Sequence, residues 1–362
     1  MALNNIKSNI NQLRRHARQV PIGKVTIGGH NPIAVQSMTR TKTSDIETTV
    51  AQIIGLQKAG CDIVRVAVPD ESAARALTSI KRQIDIPLVA DIHFDPQLAL
   101  LAIEAGADKI RINPGTFTKK SMLTKIITQA KEKNIPIRIG VNSGSIERDL
   151  LKKYGKPCAA ALVESMLRHV AAFEKLSFEN LVLSLKASDV NMTIEAYQAI
   201  ATKTDFPLHL GVTEAGTSRM GIIKSAIGIG SLLQQGIGDT IRVSLTDDPA
   251  VEVHAAHDIL HALNLRCEGL NLVSCPGCGR QEVDLIKIVR DFEQRIEPPN
   301  KPVTVAIMGC SVNGPGEARE ADIGIACGQG KAVLFRNGKI MRTVPEESIL
   351  NELRNEIKRF CE

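Results

Sequence analysis

Three cysteines and five basic side chains hold the chemistry that can be read first from this chain. Cys275-Pro-Gly-Cys278 is a CxxC pair, and Cys310 follows within Gly309-Cys-Ser-Val-Asn-Gly-Pro-Gly-Glu317. Two cysteines on one tight turn set their sulfurs at metal-ligand spacing, and the glycines beside Cys310 let backbone fold closely around something bulky. No fourth thiolate is obvious. Cys267, Cys327 and Cys361 are available for a four-cysteine zinc site. Alternatively, a cubane iron-sulfur cluster on three cysteines leaves one iron for Glu317, delivered by the Gly-Pro-Gly turn. A carboxylate is harder and more exchangeable on iron than a thiolate, so that iron is open to act as a Lewis acid while the cluster supplies electrons. Cys61 and Cys158 fall in helical segments and are assigned to packing.

Arg65, Arg111, Arg138, Lys186 and Arg242 each interrupt or close an apolar run of strand length. Burying such charges unpaired against an outer layer of helices is costly, so they are expected to point inward, toward a wet rim. Polar groups accompany them at strand ends: Asp91, His93, Asn113, Asn142, Ser143, Thr213, Glu214 and Ser244. Five cations with few carboxylates suit a polyanion, and the planar fork of arginine suits phosphate oxygens. The competing reading pairs each arginine with a carboxylate of a neighbouring strand. Lys186 is a phosphate ligand or, less simply, a Schiff-base lysine. His93 and His209 by themselves read as satisfied core histidines.

The elements that must position these groups follow a repeating grammar. Apolar runs occur at Ile33 to Met38, Asp62 to Pro69, Leu88 to Phe94, Lys109 to Gly115, Pro136 to Asn142, Leu181 to Ala187, Leu208 to Glu214 and Asp239 to Leu245. Helical segments lie between them, with Ser44 and Glu47 as a capping box and Gly60 and Gly106 at helix ends. The gap after the fifth run holds two helices, Ile146 to Tyr154 and Ala159 to Lys175. Eight strand-helix units predict a (β/α)8 TIM barrel over residues 1–266. Asp62-Ile-Val-Arg65, Asp108-Lys-Ile-Arg111 and Asp239-Thr-Ile-Arg242 repeat one phrase on even-numbered strands, so their guanidinium groups should converge in one inward layer.

The pattern changes near Cys267. A Gly- and Cys-rich stretch to Gln281 precedes a helix over Glu282 to Gln294, a strand over Val303 to Met308 and a Gly-rich loop to Gly316. A strand over Ile323 to Ala326, a hairpin at Arg336-Asn337-Gly338-Lys339 and a helix over Glu346 to Phe360 follow. Residues 267–362 therefore read as a smaller α+β domain.

Composition narrows the function. The 362 residues have a net charge of +6 and only 3% aromatic residues, a poor match to a nucleic-acid surface with stacking platforms and to a DNA-binding redox sensor. No uncharged run is long enough to span a bilayer, and residues 1–20 lack the apolar stretch of a secretory signal. The expected location is cytoplasmic, where spaced cysteines bind metal or do redox work in preference to forming disulfides.

With those residues in hand, the sequence resembles the family of bacterial 4-hydroxy-3-methylbut-2-enyl diphosphate synthases of the methylerythritol phosphate route to isoprenoids. The likeness runs through Pro32-Ile-Ala-Val-Gln-Ser-Met38, Val89-Ala-Asp-Ile-His-Phe94, Arg111-Ile-Asn-Pro-Gly115, Ile137-Arg-Ile-Gly-Val-Asn142, Lys186-Ala-Ser-Asp189, Gly211-Val-Thr-Glu-Ala-Gly216 and Gly238-Asp-Thr-Ile-Arg-Val-Ser244, then through both cysteine motifs. It looks like the two-domain bacterial form. The resemblance implies a [4Fe-4S] cluster on Cys275, Cys278, Cys310 and Glu317, and 2-C-methyl-D-erythritol 2,4-cyclodiphosphate bound at the barrel rim. It implies diphosphate contacts from Arg65, Arg111, Arg138, Asn142, Lys186, Thr213 and Ser244, beside the inward Arg242. It makes Glu214 a proton-transfer group and places Asn313 beside the cluster ligands. The implied reaction is reductive ring opening with loss of water. Electrons arrive singly from flavodoxin or ferredoxin, and a head-to-tail homodimer closes the site. The rival reading is a zinc-stapled TIM-barrel lyase or aldolase acting through Lys186.

Overall fold

A computed structural model describes residues 14–362 other than 94, 118, 119, 267, 268, 298, 300 and 313. The chain divides into two compact units that meet in sequence at the 266/267 boundary. Among the described residues, no helix is long and apolar enough to cross a membrane.

The first unit opens with an antiparallel hairpin, β1 (Val20–Ile22) and β2 (Val25–Ile27). Eight parallel strands follow: β3 (Ala34–Met38), β4 (Ile63–Val68), β5 (Leu88–Ile92), β6 (Lys109–Ile112), β7 (Ile137–Asn142), β8 (Leu181–Lys186), β9 (His209–Leu210) and β10 (Thr240–Ile241). Neighbouring strands pair in chain order from β3 to β8, β10 pairs with both β3 and β9, and a parallel bridge between Leu183 and Leu208 closes the ring. Helices α1 (Ile46–Lys58), α2 (Glu71–Lys81), α3 (Pro96–Glu104), α4 (Lys120–Glu132), α5 (Arg148–Tyr154), α6 (Ala159–Glu174), α7 (Val190–Ala201), α8 (Ser218–Gln234) and α9 (Pro249–Ala262) surround it. This is the expected (β/α)8 barrel, with two helices after the fifth barrel strand.

Strict alternation sets what each strand residue faces. Val64, Val66, Leu88, Ala90, Ile110, Ile112, Ile137, Ile139, Leu183 and Leu185 pack outward on the helices. The opposite parity faces the lumen. Near the starts of β3, β4, β5 and β8 that inward set is apolar: Ala34, Ile63, Val89 and Val182 pack on Val20, Ile22 and Ile27, so the hairpin plugs this end of the barrel. Further along the same strands the inward set turns polar and basic.

The repeated Asp-x-x-Arg phrase has a structural cause. Asp62 accepts from Val35 N at 2.8 Å, Asp108 from Leu88 N at 2.7 Å and Asp239 from Leu208 N at 2.8 Å. Each aspartate satisfies an amide at the start of a neighbouring strand, and the arginine three residues later lines the rim cavity, from within its strand for Arg65 and Arg111 and just past it for Arg242.

Two expectations need correction. The N-cap of α1 is Asp45, whose side chain accepts from Thr48 N, so the Ser44/Glu47 capping box does not form. The runs expected from Leu208 to Glu214 and Asp239 to Leu245 keep only two ladder residues each, because the chain leaves the sheet to serve the rim; Glu214 sits at φ +52°. Gly60 and Gly106 do follow helix ends, at φ +93° and +91°.

The second unit is a five-stranded sheet in the order β11 (Leu270–Ser274), β12 (Val303–Met308), β13 (Ile323–Gly328), β14 (Lys331–Arg336), β15 (Lys339–Pro345). The first three strands are parallel and the last two antiparallel. Asn337 and Gly338 make the β14–β15 turn in the left-handed region, as their sequence requires. α10 (Leu285–Arg295) and α12 (Ile349–Cys361) cover one face through Leu285, Phe292, Leu353 and Ile357. α11 (Gly314–Glu320) covers the other face through Ala318. The unit is thus α+β with helices on both sides of its sheet. β11 went unpredicted, since it is a partly exposed edge strand inside the cysteine-rich stretch. The Gly-Pro-Gly segment, expected as loop, is the first turn of α11, where a proline costs no hydrogen bond.

Candidate functional site

In the barrel, Arg65, Arg111, Arg138, Asn142, Lys186, Thr213, Arg242 and Ser244 line one cavity of 180 Å³, together with Asp91, His93 and Ser184. All eight residues expected to touch substrate there are brought together. Glu214 follows Thr213 but is exposed and does not line the cavity; its positive φ is backbone strain held at the rim. Asn113 is used elsewhere, accepting from Gly115 N and donating to Ser145 Oγ.

The cations are crowded. Arg111 Nη1 donates to Asp91 Oδ1 at 3.1 Å and lies 2.9 Å from His93 Nε2, while Arg65 Nε is 3.7 Å from Asp91 Oδ2. Arg242 Nε lies 3.3 Å from Glu252 Oε2, a carboxylate presented by α9 that also accepts from Ser37 Oγ and Leu245 N. Among the described residues, Nε and Nη1 of Arg138 have no hydrogen-bond partner. Five cations therefore face two carboxylates. The packing explanation accounts for Arg65, Arg111 and Arg242 in part and leaves a positive excess.

Electrostatics agree with that count. Burial, then Arg65 and Arg111, push the Arg138 guanidinium well below its ordinary range. Burial, then Arg138, Arg65, Arg242 and Arg111, do the same to Lys186. Burial also pushes Arg65 down, to about 9, against the pull of Asp91. Burial alone would raise Asp91, yet Arg65, the His93 hydrogen bond and Arg111 hold it well below the usual carboxylate range. Gly140 completes the arrangement. It occupies the inward position between Arg138 and Asn142, and a Cβ there would lie 2.6 Å from Arg111 Nε. Only a bare backbone leaves room for that guanidinium.

In the second unit, Cys275, Cys278, Cys310 and Glu317 line a cavity of 410 Å³ with Arg280 and Met308. Parallel pairing of β11 with β12 puts Ser274 opposite Ile307, so the chain leaves both strands at the same sheet edge and carries Cys275 and Cys310 there. Cys275 Sγ accepts from Gly309 N at 3.3 Å. Glu317 stands in the first turn of α11. Three sulfurs and one carboxylate around a hollow of this size fit a polynuclear iron-sulfur group. Among the described residues, no three His, Cys, Asp or Glu side chains converge on a point where one ion would sit. Asn313 and Cys267 lie outside the described residues.

Two of the three other thiols offered to a zinc site are placed elsewhere. Cys327 is fully buried in the sheet core, where burial, then Glu346 and Cys275, push its thiol up to about 12. Cys361 lines a different groove, with Arg295, Lys301 and Arg354. Cys61 is a packed thiol donating to Ile63 O, as assigned.

Sequence reading overlooked Ser184, Glu252 and Lys109. Ser184 and Lys109 share strand parity with the predicted cations on β8 and β6, a signal that was available. Glu252 sits on a helix, and nothing in its spacing marks it as a partner of Arg242.

The sequence matches the GcpE TIM-barrel domain over residues 17–257 and the GcpE protein C-terminal domain over residues 271–359. It is 56% identical over 349 residues to the 4-hydroxy-3-methylbut-2-en-1-yl diphosphate synthase (flavodoxin) of Caldanaerobacter subterraneus subsp. tengcongensis, covering 96% of this chain and 98% of that protein. It is 54% identical to the enzyme of the same name from Anoxybacillus flavithermus, covering 96% of each. Among solved structures, dihydropteroate synthase from Stenotrophomonas maltophilia superposes with a TM-score of 0.52 at 17% identity, over 68% of this chain and 97% of that one, a likeness of barrel fold alone. Since both family domains are matched in order, and more than half the residues are shared along nearly the whole length of those relatives, the chain belongs to the GcpE family.

Proposed function

We propose that this chain is a flavodoxin-dependent 4-hydroxy-3-methylbut-2-en-1-yl diphosphate synthase, an oxidoreductase of isoprenoid biosynthesis that opens the ring of 2-C-methyl-D-erythritol 2,4-cyclodiphosphate. The observation that carries this reading is the barrel cavity, where five cations face two carboxylates and call for an anionic ligand. Arg65, Arg111, Arg138, Lys186 and Arg242 bind the two phosphates, with Asn142, Thr213 and Ser244 as polar contacts. Glu214, held at the rim by its strained backbone, handles a proton of the substrate's carbon end. Asn313 is assigned beside the cluster on the resemblance alone.

Cys275, Cys278, Cys310 and Glu317 would hold a [4Fe-4S] cluster. When bound, it supplies two electrons singly and a Lewis-acidic iron beside the carboxylate ligand. Glu317 is the weak member of that ligand set, and its place in a first helical turn fixes it without a fourth thiolate. A homodimer and a cytoplasmic, reducing setting belong to the same reading.

Anaerobic purification with iron, sulfide and zinc analysis tests it. The expected protein is brown, has about four irons per chain, and turns over the cyclic diphosphate with reduced flavodoxin. Stoichiometric zinc in place of iron would overturn the proposal.

A further inference from the structure

Beneath the rim cavity the barrel lumen contains a second basic layer. Lys109 opens β6 and faces inward, because Ile110 and Ile112 of the same strand face the helices. It is fully buried, and its Nζ has no hydrogen-bond partner among the described residues. Also inward and buried, on β3, β7 and β9, are Gln36, Arg138 and His209, and each of these has at least one side-chain nitrogen without a partner among the described residues. A free amine tolerates such surroundings; an ammonium ion does not.

We propose that Lys109 takes up one proton from solvent when the cyclic diphosphate binds above it. This deepens the functional reading and rests on it. In the empty barrel, burial, then Arg138 and Arg65, hold Lys109 well below the ordinary lysine range. Two phosphate charges arriving in the layer above offset those guanidinium groups and lower the positive potential at Nζ that disfavours an ammonium ion. The lone pair of Nζ accepts the proton, and no other bond changes. The ligand cannot be the acceptor, since each of its phosphorus atoms has one strongly acidic proton, already lost at neutral pH.

The other charged groups facing this layer are Arg138, Arg65 and Arg111 beside Asp91, and Arg242 beside Glu252; a guanidinium has no lone pair to offer as acceptor. Lys186 and His209 remain as competing acceptors, because burial and the same cations push both down.

The test is calorimetric titration of the anaerobic, cluster-loaded enzyme with the cyclic diphosphate, in two buffers of equal pH and different ionisation enthalpy. Wild type should take up about one proton per ligand at pH 8, and its Kd should rise up to about tenfold per pH unit above that. Lys109→Met should lose most of the uptake and flatten the slope, with Lys109→Gln as the second variant if the first does not fold. His209→Asn should behave as wild type. Uptake reduced by less than half in both Lys109 variants overturns the assignment, as does wild-type binding without uptake. Absence of binding by wild type overturns the functional reading instead.

Discussion

Asp91 shows how one carboxylate organises a cationic site. It takes Arg111 at 3.1 Å and Arg65 at 3.7 Å, with His93 at 3.4 Å on the second oxygen. Its side chain is almost fully buried, so Asp91→Asn leaves two guanidinium groups without their counter-ion. The expected loss is about 3 kcal/mol of stability in the ligand-free protein, read as a lower melting temperature of the barrel. Saturating cyclic diphosphate should narrow that gap, since it supplies the missing negative charge; an equal deficit with and without ligand would contradict the proposed site. The pH dependence has a fixed sign. Because its carboxyl is held below the ordinary range in the folded state, Asp91 contributes stability present above that range and lost as pH falls through its folded value.

At the scale of the element, the barrel strands work as rulers. One parity packs Val, Ile and Leu on the helices, and the other delivers a polar group every second residue to the lumen. Gly140 on β7 is the omitted group in that series. Gly140→Ala needs no unusual backbone angle, so the strand should survive, but its Cβ would displace Arg111. The expected result is a fall of about a hundredfold in kcat/KM with the barrel melting within a few degrees of wild type. Retained activity would mean that Arg111 does not need its present seat. The sheet of the second unit positions by the same logic: parallel β11 and β12 end side by side, and α11 carries Glu317 in its first turn.

As a whole, the molecule joins a barrel with a lumen lined by cations to a smaller unit whose sheet edge opens on a thiol-lined hollow. The smaller unit buries a modest core around Phe292, Ile325 and Leu353, while the barrel buries an extended one. Chelation of the cluster from the full chain should therefore raise hydrogen exchange in β11, the CxxC turn and α11, and lower the melting of that unit by about 5 °C. Binding of the cyclic diphosphate to the barrel should persist. If exchange in those segments does not change on chelation, the cluster contributes nothing to their order.

Alternation along strands, glycine and proline punctuation, and the spacing of cysteines are local properties of a chain, and they were enough to predict the eight barrel strands, the five inward cations and the thiol pair of the CxxC turn. Partner choice across the fold is not local. That Arg242 meets Glu252 on α9, that Asp91 serves two arginines, that Cys327 is withdrawn into a core and that Lys109 finds no hydrogen-bond partner among the described residues depend on which elements become neighbours. Those neighbours are set by barrel closure and sheet order. The sequence determined which groups point inward; the tertiary structure decided which of them are neutralised, because electrostatic pairing acts over a few ångströms between residues here as few as 10 and as many as 225 positions apart.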